Sequence, residues 1–94
     1  MNSKEILKMN RYCVISFPNT HSAIMAEKTL NEADLSVGFL LMPVPTAISA
    51  GCGLAIKTDP SAYGQLVELL GEHRVEIKGV HLVDKATDSV TTLM

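Results

Sequence analysis

Two cysteines and three histidines are the side chains of this chain best suited to nucleophilic or proton-transfer chemistry. Cys52 stands in the run Ser49-Ala50-Gly51-Cys52-Gly53. Glycine on both sides removes the Cβ atoms that would block an approaching sulfur atom, and it permits a positive φ. Successive N–H groups in such a loop can form an anion-binding concavity, which favours a thiolate over a thiol. The same run also reads as a tight turn with an incidental cysteine, and spacing alone does not separate the two readings. Cys13 lies in Arg11–Phe17 (RYCVISF), where a mid-strand cysteine acts as a small apolar filler. His21 follows Pro18-Asn19-Thr20 and reads either as a partner for a thiolate or as an exposed first-turn histidine. His73 and Arg74 close a helical segment, where cations complement the helix dipole. His81 reads as a surface residue of the last strand. Asp59 and Glu27 are explained by capping and solvation. The Ser49, Gly51 and Gly53 positions form an access loop around Cys52. No pair of carboxylates, no His/Cys metal spacing, no phosphate-cradling glycine run and no Ser/His/Asp set is read in the chain, so no metal and no cofactor is expected.

The elements that must position these residues follow from pattern. Arg11–Phe17 predicts a strand, stopped by Pro18-Asn19. Asn19 or Thr20 can cap a helix that runs to about Ala33, with Ala23, Ala26, Leu30 and Ala33 on one face. Val37–Val44 predicts a second strand, apolar on both faces. Pro43 and Pro45 remove ladder donors, so that strand ends near them or lies at an edge. Gly53–Thr58 predicts a third strand. Asp59-Pro60 predicts the start of a second helix, packed through Tyr63, Leu66, Val67 and Leu70 and ending around Gly71–His73. Val75–Val83 predicts a fourth strand with a bulge at Gly79. Residues 1–10 read as an arm, 11–83 as one domain and 84–94 as a polar, frayed tail.

The order βαββαβ predicts an α+β fold, the ferredoxin-like arrangement. It implies a four-stranded antiparallel sheet of order 4-1-3-2 with both helices on one face. In that topology the end of strand one, the start of strand three and the exit of helix two share one end of the sheet. Cys52 then faces the N-terminus of helix one, near His21, and Cys13 lies toward the opposite end, about four strand residues from Phe17, or roughly 13 Å at 3.3 Å per residue. A disulfide needs Cα atoms within about 7 Å, so the two cysteines do not pair within one chain. The uncovered sheet face, with Leu40, Met42 and Val44, needs a partner sheet, a terminal arm or a second copy of the chain, and a homodimer is expected.

Composition narrows the partners. Ninety-four residues hold one domain, which buries roughly two-thirds of its extended surface. With 47% hydrophobic residues the chain is not wholly disordered. A net charge of −2 and 4% aromatics argue against nucleic acid, which wants a basic surface and stacking platforms. The longest apolar stretch, Val37–Val44, is far short of the ~20 residues that span a bilayer, so no membrane partner is expected. No charged leader with an apolar core is read at the start, so a cytoplasmic location is expected, where thiols stay reduced.

Phe17-Pro18-Asn19-Thr20-His21, Ala26-Glu27-Lys28-x-Leu30, Pro43-Val44-Pro45 and Ile48-Ser49-Ala50-Gly51-Cys52-Gly53-Leu54-Ala55 together resemble the putative Se/S carrier protein-like domain family. The resemblance covers about Tyr12 to Val83, and the Ile-Ser-x-x-Cys-Gly-Leu-Ala segment after Pro-x-Pro is its specific part. It implies that Cys52 carries sulfur or selenium as a persulfide or selenosulfide. A donor enzyme and an acceptor protein are then the partners, and the chain is a relay rather than a turnover enzyme. Family members commonly place a basic residue after Pro-x-Pro, where this chain has Thr46 and Ala47. The alternative is a regulatory module that binds a small molecule or a protein through the Pro43–Gly53 loop, with Cys52 a bystander.

Overall fold

The computed structural model describes residues 9–33, 37–45, 48 and 53–93. Among these the chain forms β1 (Arg11–Ser16), α1 (Thr20–Glu32), β2 (Phe39–Pro43), β3 (Leu54–Thr58), α2 (Tyr63–Glu72), β4 (Gly79–Asp84) and β5 (Ser89–Thr92). The fold is α+β: two helices against an antiparallel sheet of order β2-β3-β1-β4-β5. β1 is central because its run supplies apolar or small side chains to both faces, and every residue from Tyr12 to Phe17 is buried. Ile15 stands across from Ile56 on one side and Val80 on the other. These three meet Ala23, Ala26 and Leu30 of α1 and Leu66 and Leu70 of α2 in the main core. The alanine stripe of α1 permits that close helix-on-sheet approach.

α1 starts where its cap dictates. The Asn19 side chain accepts the Ser22 N–H at 2.8 Å, which satisfies one donor of the first turn. The expected start of α2 at Asp59-Pro60 is corrected to Tyr63. The Asp59 carboxylate does accept from Ser61, but it closes a turn, with Ala62 N–H bonded back to the Asp59 carbonyl at 2.9 Å. α2 ends in a Schellman motif: Arg74 N–H bonds the Gly71 carbonyl at 3.1 Å and Val75 N–H the Leu70 carbonyl at 2.9 Å. Arg74 takes the left-handed position of that motif, φ 59°, which glycine usually fills. The motif folds Val75 into the core, so the fourth strand begins at Gly79 rather than Val75. Gly79 makes no bulge; the β1–β4 register runs unbroken from Arg11 opposite Asp84 to Ser16 opposite Gly79.

The expected four-stranded sheet of order 4-1-3-2 is corrected by the segment after β4, where Ser89–Thr92 forms a further strand in place of a frayed tail. Asp84 Oδ1 accepts the Ala86 N–H at 3.0 Å, Asp88 takes φ 52°, and the chain returns along β4 as β5. Asp tolerates the left-handed region better than most residues, so a turn can close there without glycine. β5 makes the sheet five-stranded and gives β4 a neighbour on both sides. β2 forms the opposite edge, where Pro43 at its end costs no ladder bond inside the sheet.

The face of the sheet away from the helices carries a second, smaller core of Tyr12, Val14, Ala55 and Val83. Ile48, from the connection between β2 and β3, packs onto it and is 5% exposed. Met9 and Val44 add to that cover. The chain therefore supplies part of the covering that was expected from a second copy.

Candidate functional site

Cys52, Ser49 and Gly51 lie outside the described residues, as does the distance from Cys52 to His21. The structure does describe the frame on either side of that loop. Val44 N–H donates to the Gly53 carbonyl at 2.9 Å, which extends the β2–β3 ladder one step past Pro43 and Leu54. Between these ends, Ile48 N–H bonds the Pro45 carbonyl at 3.0 Å and the Ile48 side chain is seated on the second sheet face. Gly53, the residue that follows Cys52, is exposed, and a Cβ placed there would meet nothing within 4 Å. Its φ is not positive, so it serves openness and not a left-handed turn.

The expected meeting of strand ends holds for the described residues. Ser16 stands across from Ala55, so β1 leaves the sheet where β3 begins, and Phe17–Asn19 lead directly into α1. His21 is exposed in the first turn of α1. Asn19, His21, Ser22 and Met25 form one wall of a cleft of about 300 Å³, and His73–Glu76 from the exit of α2 form the other. Sequence spacing put His73 and Arg74 at this end but read them only as complements of the helix dipole. The signal that joins them to His21 is the absence of glycine after α2, which leaves a side chain at the left-handed position.

Cys13 is a free thiol with no exposed surface. Burial pushes its thiol up to about 11, the Asp59 carboxylate adds to the rise, and Arg11 offsets part of it. A neutral, enclosed thiol neither attacks nor binds metal, and the filler reading fits it. His81 is not a plain surface residue: β5 half-buries it, its Nδ1 lies 3.3 Å from Thr92 Oγ1, and burial lowers its pKa. The hydrogen bonds from Ser61 hold the Asp59 carboxyl below its ordinary value. Lys57, which sequence reasoning passed over as a strand residue, is 4% exposed with its Nζ 4.1 Å from the Tyr12 ring centroid. Lys85 Nζ approaches the same ring at 5.9 Å. Burial, then the neighbouring Lys85 charge, lowers the Lys57 pKa, and the ring face offers a cation–π contact in return. Among the described residues no group of three or more His, Cys, Asp or Glu side chains is arranged to hold a metal ion. No helix among them is long and apolar enough to cross a membrane.

Among known proteins, the family model described as "Putative Se/S carrier protein-like" matches residues 12–82. No curated protein matches the chain, and no solved structure does.

Proposed function

Because the chain belongs to the putative Se/S carrier protein-like family, we propose that it relays sulfur or selenium between two partner proteins on the Cys52 thiolate. The observation that carries this reading is the burial of Cys13. The chain has two cysteines, and one of them is enclosed with its thiol held up to about 11. A carrier that works through a cysteine is left with Cys52. The exposed, unobstructed Gly53 beside it supports access by a partner.

The transfer is a thiol–disulfide type exchange. The Cys52 thiolate attacks the terminal sulfur of a donor persulfide; a new S–S bond forms, the donor S–S bond breaks, and the donor sulfur leaves as thiolate. An acceptor thiolate then takes the terminal atom from Cys52, which leaves as thiolate in turn. No net oxidant or reductant is consumed, and a terminal selenium atom follows the same steps. His21, exposed at the start of α1, is the proposed partner that stabilises the thiolate or takes its proton. Ser49, Gly51 and Gly53 are the proposed access loop. A reducing, cytoplasmic setting suits a thiol that must stay free between transfers.

Incubation with a cysteine desulfurase and cysteine, followed by intact mass measurement, tests the proposal. Wild type and Cys13→Ser should gain one reductant-labile sulfur atom, and Cys52→Ser should gain none. Equal loading of Cys52→Ser would end the proposal. A second check is the alkylation rate of Cys52 against pH. An apparent pKa clearly below the free value of ~8.5 is expected of a carrier, and an ordinary value favours the binding-module reading.

A further inference from the structure

We propose that Ile48 is a positioning residue for Cys52: seated on the second sheet face, it fixes the β2–β3 connection so that the thiol is presented in one setting. The inference rests on the reading of Cys52 as the working thiol and names the part of the fold that holds it. Hairpin connections commonly take about two to five residues. Here the last backbone bond runs from Val44 N–H to the Gly53 carbonyl at 2.9 Å, which leaves the eight residues 45–52 between the strands. Closure at the two ends alone leaves a connection of that length many arrangements, and their number grows with the free length. Ile48 divides it. Its N–H bonds the Pro45 carbonyl at 3.0 Å, three residues back, and the proline ring fixes one torsion at that point. Four residues, 49–52, then separate an anchored Ile48 from Gly53, and Cys52 is the last of them.

The anchor is a hydrophobic seat. Ile48 is 5% exposed and clusters with Tyr12 and Val14 of β1, Ala55 of β3 and Val83 of β4. Those three strands are neighbours in the sheet, so the connection is pinned across its centre. Val44, whose N–H closes the ladder, packs on the same group. One small core therefore holds both the stem of the connection and its middle. The main core lies on the other face of the sheet and does not include Ile48. What Ile48 adds beyond stability is thus local to the connection. A reacting group held by packed neighbours meets its partner in fewer arrangements, and a displacement of about 1 Å can cost up to ~100-fold in rate.

Three variants of the full chain test this: Ile48→Ala, the milder Ile48→Val, and Leu30→Val, which trims the main core on the opposite face. Each is assayed well below its melting temperature, so that all chains are folded. The first readout is the rate of persulfide loading from a cysteine desulfurase with cysteine, measured by intact mass against chain concentration. The second is the rate of Cys52 alkylation by iodoacetamide against pH, which needs no donor enzyme. Ile48→Ala should load about tenfold more slowly at saturation, with the half-saturating concentration unchanged. Its Cys52 should titrate closer to the free value of ~8.5 than in the wild type. Ile48→Val should lie between the two. Leu30→Val should match the wild type in both readouts despite a lower melting temperature. An Ile48→Ala chain that loads and alkylates as the wild type does would overturn the proposal, as would a Leu30→Val chain impaired to the same extent. A wild type that takes up no sulfur ends the relay reading instead, and the alkylation profiles then decide the positioning role by the same comparison.

Discussion

The Cys13 thiol, enclosed on every side and held up to about 11, should be silent toward alkylating reagents in the folded chain. In a Cys52→Ser background, mass spectrometry at neutral pH should find no label on the native protein and one label per chain in denaturant. Stability should carry the same signature. The native thiol keeps its proton up to about 11, whereas an ordinary thiol releases it near 9.0. Between those values the unfolded chain binds fewer protons than the native one, so unfolding free energy falls as pH rises. The stabilising contribution is therefore complete below about 9 and lost towards 11. Denaturant melts across that window should show the decline, and Cys13→Ala should flatten it. A decline unchanged in Cys13→Ala would assign it to other groups. Lys57 is the opposite kind of buried group: a cation whose protonated form the core disfavours, with the Tyr12 ring as its nearest aromatic support.

At the scale of elements, α1 depends on the Asn19 side chain for its first turn. Asn19→Ala should cost about 1 kcal/mol, which for a domain of this size lowers the melting temperature by roughly 4–8 °C. Loss of that cap should also speed amide exchange at Ser22 first. Much of the element plan was legible in the sequence because it rests on local chemistry: the asparagine cap, the alanine stripe of α1, the apolar runs of β1 and β3. The misread boundaries share one cause, that a short side chain can serve a turn as well as a helix. Asp59 looks like a helix cap but bonds Ser61 inside a turn three residues ahead of α2. Asp84 and Asp88 look like tail polarity but build the turn that brings β5 home. β5 itself has four residues, all exposed, so no buried alternation marks it. The cleft was half legible. Topology gathered its residues at one end, but the left-handed Arg74 depends on a Schellman geometry that arginine at that position does not announce.

For the molecule as a whole, Ile48 ties the β2–β3 connection to the second sheet face, and Met9 helps from the arm. Ile48→Ala should lower stability by about 2 kcal/mol, near the low end for a buried isoleucine, and thermal melts at matched pH should register it. Amide exchange at Val44 should rise with it, because the bond from its N–H to the Gly53 carbonyl closes the connection that Ile48 holds down. An unchanged melt would mean that Ile48 adds no stability in solution. Ile48 and Met9 thus cover part of the second face from within the chain. The enclosure of Cys13 has a last effect on traffic through such a molecule. A chain whose only other sulfhydryl is locked away has no internal rescuer: under the proposed relay, a sulfur atom on Cys52 could not be discharged into a disulfide within the same polypeptide and would wait for an outside thiol to claim it.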